Sequence, residues 1–302
     1  MVQLSVVIPF HNAAATLPRC LEALRAQDFA RDGFEVIAVD NNSTDRSLEL
    51  VRRYPEVRLL QEGTQGAYVA RNRGVAAARG RILAFTDPDC VPVPGWLAAI
   101  AREMKRSDTG VVLGGYIVPR HPPALRLLVC YENTKDAFVF ATEAPELYYG
   151  HTNNMAVRRE VFERFGPFVE RRRGADTILV RRVVDGLSCR AVRYCPEALV
   201  EHLELADVLT YYRKLTLYGE SRESYRQVSW TRPLTLSERL TVFRRTGIAH
   251  ALSATGAAHL LLLLSVGLLA WRAGRARAQW HRLTSGPSAA ALNFHERPPS
   301  PS

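Results

Sequence analysis

Cysteine is scarce in this 302-residue chain, and what there is does not pair. The five cysteines, at 20, 90, 130, 189 and 195, show no short paired spacing. That excludes a zinc site or a Cys-x-x-Cys redox motif and reads as reduced, cytosolic thiols. A charged leader is not visible either: Met1-Val-Gln-Leu runs straight into an apolar strand, so no signal peptide is expected and the main domain should face the cytoplasm. The loop after that strand, Phe10-His-Asn-Ala-Ala, has no glycine, which counts against a triphosphate cradle and against nucleotidyl transfer. Acidic residues are few in the C-terminal third, where residues 207–302 hold 13 Lys and Arg against 5 Asp and Glu. Of the formal +10, only +2 is left for the first 206 residues, so the basic balance does not mark a nucleic-acid surface. Gly247–Trp271 contains no Lys, Arg, Asp or Glu at all.

What is present alternates. Gln3–Pro9 is a short, β-branched apolar run stopped by proline, hence a buried strand. Residues 14–26 place Leu17, Leu21 and Leu24 at helical spacing. Phe34–Asp40 is a second strand ending in a carboxylate, and Asn42-Ser-Thr-Asp45 offers N-cap residues for a helix reaching Tyr54. Val57–Gln61, Ala67–Ala78 and Arg81–Thr86 continue the strand–helix–strand order. Such alternation with short links predicts a parallel sheet covered on both faces, with ligands at the C-terminal ends of its strands.

Asp87-Pro-Asp89 stands at one of those ends. Two carboxylates one residue apart, stiffened by proline, suit a divalent cation that in turn grips a diphosphate. Pro9 and Asp40 close neighbouring strands, so the same edge collects all of them.

In this setting the chain resembles the family 2 glycosyltransferases from about Leu4 to His202. The matching pieces are Ser5-Val-Val-Ile-Pro-Phe-His-Asn12, Val39-Asp-Asn-Asn-Ser-Thr-Asp45, Ala70-Arg-Asn-Arg-Gly74 and Thr86-Asp-Pro-Asp89. They continue with Gly150-His-Thr-Asn-Asn-Met-Ala-Val-Arg-Arg-Glu160, Phe165-Gly-Pro-Phe168, Gly174-Ala-Asp-Thr177 and Pro196-Glu-Ala-Leu-Val-Glu-His202. The resemblance implies a GT-A nucleotide-sugar-binding fold and inverting transfer of one sugar from a nucleoside diphosphate, UDP by analogy, with Mn²⁺ or Mg²⁺ as cofactor. Pro9, Phe10, Asn12 and Asp40 would hold the nucleotide, with Arg71 and Asp87 near it. Asp87 and Asp89 would bind the metal, completed by His202, and Asp176 would be the catalytic base. The residues themselves leave other roles open: Asp40 as a turn cap, Arg71 as a solvated helix residue, Asp176 as the first acid of a helix Thr177–Asp185, and His202 as a satisfied histidine. Asp45 reads as a helix-start residue.

Two departures from the family pattern matter. Ala175 stands where a glutamate usually precedes the base, which keeps a non-catalytic, membrane-associated protein of the same fold as the alternative. Gln227-Val-Ser-Trp230 falls short of the Gln-x-x-Arg-Trp of processive synthases, so single transfer is expected. The resemblance gives a catalytic domain over 1–205 and a helical acceptor-side extension over 206–246, whose helix runs 206–228. An apolar, membrane-associated helix with a basic flank follows over 247–284, and a disordered tail over 285–302. The run Gly247–Trp271 is flanked by Arg244, Arg245, Arg272, Arg275 and Arg277. It could span a bilayer, lie on anionic lipid, or pack on the domain. The expected partners are a nucleotide sugar, a glycan or lipid-linked acceptor, and a membrane surface or bilayer, with no nucleic acid. Arg171-Arg-Arg173 reads as a solvated loop or a phosphate contact, and 119–149, which holds no motif, as part of the acceptor pocket.

Overall fold

The computed structural model describes residues 2–118, 122–225 and 231–284. The expectations for Gln227–Trp230 and for the tail 285–302 fall outside them. β1 (Leu4–Phe10), β2 (Phe34–Asp40), β3 (Val57–Gln61) and β4 (Ile82–Thr86) are joined through α1 (Leu17–Arg25), α2 (Ser47–Val51) and α3 (Ala67–Ala77). All seven residues of β1 are buried. Alternate side chains serve two cores. Leu4, Val6 and Ile8 meet Leu17, Leu21 and Trp96 on one face; Val7 meets Phe85, Tyr68 and Phe168 on the other. A strand covered on both sides therefore reads as an unbroken apolar run.

The strands form one eight-stranded sheet in the order β3-β2-β1-β4-β7-β6-β8-β5. β5 (Cys90–Pro92) leads into α4 (Trp96–Glu103). β6 (Val111–Ile117), α5 (Pro123–Val139), β7 (Asn154–Arg158), α6 (Arg159–Phe165), α7 (Ala175–Gly186) and β8 (Val192–His202) complete the layer. The sheet is mixed and mostly parallel, as the GT-A resemblance implies: β7 runs antiparallel to β4 and β6, and β5 antiparallel to β8, while the other pairs are parallel. The chain leaves β1 for β2 on one side and returns to β4 on the other, which opens a crevice at the strand ends between β1 and β4. Phe10 and Asp40 lie in register at that edge.

β8 is much longer than its apolar core Ala198–Val200 suggests. Its register against β6 slips between Gly114, opposite Cys195, and Gly115, opposite Leu199. The slip accommodates Pro196, which cannot donate to a ladder. The helix expected from 42–45 to Tyr54 is reduced to α2, because Asn12, Asp40 and Asp45 tie the preceding turn down instead.

Beyond the sheet lie α8 (Val208–Tyr225), α9 (Leu236–Ala249) and α10 (Ala254–Thr284). α9 starts with a capping box between Thr235 and Glu238. The continuous apolar helix expected over Gly247–Trp271 is divided. Ala251 adopts φ +47°, and Ser253 Oγ then accepts from Gly256 N–H at 3.1 Å to start α10. α10 lies against α8 through glycines: a Cβ on Gly274 would stand 2.0 Å from Thr216 O, and one on Gly219 2.2 Å from Trp271 O. α10 is long and apolar enough to cross a membrane by length and composition, with 17% of its most apolar window buried.

Candidate active site

Two carboxylates and an imidazole stand at the strand ends. Asp87 and Asp89 follow β4, and His202 ends β8. The antiparallel pairing of β5 with β8 sets Cys90 opposite His202, which brings His202 Nδ1 to 3.2 Å from Asp89 Oδ2. The donor atoms of Asp89, Cys90 and His202 lie within 4.8 Å of one another. His202 Nδ1 is buried yet meets no hydrogen-bond geometry, so it offers a lone pair into the cluster once its tautomer allows. Burial, then the Lys214 ammonium, hold the imidazole pKa down to about 4, so it is neutral. Burial, then the Asp87 charge, push Asp89 up to about 7. Burial also raises the Cys90 thiol well above its usual range, which leaves it a poor ligand. Carboxylate oxygens and one imidazole nitrogen match the preferences of Mn²⁺ or Mg²⁺, so the residues present fit such an ion.

Lys214, on α8, was not anticipated. Its Nζ is 3.0 Å from His202 Nε2 and 3.4 Å from Glu204. It supplies positive charge to the acid cluster. For Nδ1 to ligate a metal, Nε2 must carry the proton, so Lys214 would have to swing toward Glu204.

Arg71 is not a solvated helix residue. It is 5% exposed, pairs with Asp87 Oδ1, and lies over the Tyr68 ring at 5.1 Å. Asp87 is thus held by an arginine, while Asp89 turns to His202. Tyr68, one helical turn before Arg71, lies near the other acid, where its hydroxyl and Arg71 both favour the charged form of Asp176. Asp176, in the first turn of α7, also accepts from Thr177 N–H at 2.8 Å and Thr152 N–H at 3.2 Å. Burial pushes its carboxyl above the ordinary carboxylate range, against the pull of these donors and Arg71. Tyr68 and Arg71, on one face of α3, thus act electrostatically on Asp176 while Arg71 also pairs with Asp87. The sequence signal for this was only their i, i+3 spacing. Ala175, the missing glutamate position, is buried at 1% exposure.

The remaining nucleotide-side residues are engaged locally. Asn12 Oδ1 accepts from Thr44 N–H at 2.8 Å and Asp45 N–H at 3.2 Å, at a backbone φ of +50°. Asp40 Oδ1 accepts from Ser43 N–H at 3.1 Å, the turn-capping geometry. Asp45 bonds Ser47 N–H and Ala14 N–H, bracing the loop over Pro9 and Phe10 as well as starting α2.

Comparison with known proteins extends this description. The family model "Glycosyl transferase family 2" matches residues 5–166. Glycosyltransferase AglE of Haloferax volcanii is 32% identical over 170 residues, 54% of this chain and 55% of the relative. The chain thus spans about half the length of that relative. Among solved structures, mannosyltransferase PcManGT from Pyrobaculum calidifontis, in complex with GDP-Man and Mn²⁺, aligns with TM-score 0.60 and 20% identity over 93% of this chain and 88% of that one. TarS 1–349 of S. aureus, in complex with UDP-GlcNAc, aligns with TM-score 0.53 and 16% identity over 98% and 93%. At those identities the likeness is one of fold, and the fold is GT-A.

Proposed function

The chain belongs to glycosyltransferase family 2, and from that premise we propose that it moves one sugar from a nucleoside-diphosphate sugar to an acceptor hydroxyl with inversion. The donor is taken to be a UDP sugar, and the acceptor a lipid-linked or cell-envelope glycan. The observation that supports this reading is that Asp89 meets His202 while Asp87, two residues away, pairs with Arg71 at the same strand ends, with the buried Asp176 within electrostatic reach of Arg71. Pro9, Phe10, Asn12 and Asp40 border the nucleotide side. Asp89 and His202, with Asp87 beside them, would hold Mn²⁺ or Mg²⁺. A bound divalent cation there neutralises charge on the departing diphosphate. Asp176 takes the proton of the attacking hydroxyl. A single base opposite the leaving group inverts the anomeric carbon. The catalytic domain faces the cytoplasm, where nucleotide sugars are made, and the apolar C-terminal helix holds it at a membrane.

The test is calorimetric binding of UDP, GDP and dTDP sugars, with Mn²⁺ and with chelator, to the wild type and to Asp89→Ala. Metal-dependent binding of one nucleotide class, lost in Asp89→Ala, is expected. Ala175 favours one rival, a non-catalytic protein of the same fold. Failure of folded wild-type protein to bind any donor would establish that rival instead.

A further inference from the structure

A cavity of about 460 Å³ lies among α5, α8, α9 and α10, within the roughly 300–1,000 Å³ of sites that enclose small ligands. None of the residues assigned to donor, metal or base lines it. Its walls are unequal. Leu128, Leu215, Leu240, Leu264, Leu268 and Trp271 make an apolar side. Part of the polar lining forms a connected string, in which the Tyr149 hydroxyl donates to Asp136. Tyr211 donates to Glu132 at 2.8 Å, Glu132 pairs with Lys135, and Lys135 lies over Tyr149 at 5.5 Å. Next to Tyr149, Gly150 N–H donates to Thr177 Oγ1 at 3.3 Å. Thr177 lines the cavity and adjoins Asp176.

The apolar side opens outward. Leu236, Leu240 and Leu261 line the cavity and are 74%, 50% and 53% exposed. They belong to α9 and to α10, the helix long and apolar enough to enter a bilayer. A hydrocarbon chain could pass from lipid into the cavity without crossing water, whereas a wholly polar acceptor would leave its leucine wall unmatched. Three cations, Lys135, Arg232 and Arg239, stand in the lining; Arg232 is paired with Glu146 and Glu238, and Arg239 Nε donates to the Leu234 carbonyl.

We propose that this cavity seats the hydrocarbon chain of a lipid-phosphate-linked acceptor. Its head group lies along the Lys135–Tyr149–Thr177 string, and its sugar hydroxyl is presented to Asp176. The inference rests on the transferase reading above. In the step itself the acceptor oxygen forms the new glycosidic bond, the bond to the nucleoside diphosphate breaks, and the hydroxyl proton passes to Asp176.

The experiment photolabels the full chain in nanodiscs with a diazirine-bearing farnesyl phosphate and maps the labelled peptides, while donor binding is measured on the same samples. Label on cavity residues of α5, α9 and α10 is expected, displaced by unlabelled farnesyl phosphate and not by inorganic phosphate. Leu240→Trp and Leu264→Trp should cut it about tenfold while donor binding stays intact, which also shows that they fold. Label confined to the outer face around Leu262 and Leu269, or displaced equally by phosphatidylglycerol, overturns the proposal. Donor binding without cavity label removes the lipid seat alone. Cavity label without donor binding keeps the seat and removes the transferase reading.

Discussion

At the scale of the residue, Asp176 is pulled two ways. Burial favours its protonated form, and two backbone donors with Arg71 and the Tyr68 hydroxyl nearby favour the carboxylate; burial wins. A base must be deprotonated to act, so activity should rise with pH through a value above the ordinary carboxylate range. Asp176→Asn should keep donor binding and lower kcat by about 10²–10⁴-fold; equal loss of both would remove its assignment as base. Tyr68→Phe removes a hydroxyl that favours the charged form, so the acid limb of kcat should move to higher pH with affinity for the nucleotide sugar little changed. An unmoved limb would mean that Tyr68 does not set the base. The acids themselves were legible, because Asp87-Pro-Asp89 and Gly174-Ala-Asp176 sit in recognisable runs. Their partners were not. Lys214 reaches His202 across the turn between β8 and α8, a contact that no local spacing reports. Asn12 and Asp40 read as ligand residues, and one oxygen of each also braces the turn after its strand, a second role that spacing does not report.

At the scale of the element, legibility follows burial. β1, β2 and β4 stand out as apolar runs because both their faces are covered, whereas β3, at the sheet edge, has no fully buried residue. β5 has three residues and encloses a proline, and β8 carries Pro196 at its register slip, so periodicity fails at both. The break after α9 was invisible for another reason: Ala251 takes a left-handed backbone that usually calls for glycine or asparagine. The seating of α10 on α8 is equally silent in sequence, since Gly274 looks like one helix-weakening residue among others. It is a contact point. Gly274→Leu should cost about 1–3 kcal/mol by overpacking against Thr216. The change would be read as a lower Tm and as faster proteolysis between α9 and α10. Gly247→Ala, where a Cβ meets nothing within 4 Å, should instead raise stability by about 0.5–1 kcal/mol. Equal responses of the two variants would show that α10 is not held by that close approach.

At the scale of the whole molecule, charge and apolarity are concentrated together. The helices beyond the sheet hold the basic surplus, and they also leave Leu209, Leu217, Leu236, Ile248, Leu262 and Leu269 exposed. Scattered exposed leucines are ordinary; a group of them across three adjoining helices marks an interaction surface. Because α10 is keyed into α8, a bilayer that receives this surface would hold the catalytic crevice at a fixed distance, as the function proposed for a lipid-linked acceptor requires. The consequence is measurable on vesicles. The full chain should sediment with anionic liposomes, and added salt should weaken but not abolish this, since arginines near the surface contribute about 1 kcal/mol each and are screened, while buried leucines are not. Leu261→Gln with Leu262→Gln and Leu269→Gln, all at exposed positions, should leave folding and donor binding unchanged. They should lower partitioning on the order of 10²-fold, given about 1 kcal/mol for each half-buried leucine. Unchanged partitioning of that triple variant would assign membrane attraction to charge alone and leave the apolar face of α10 for a protein partner.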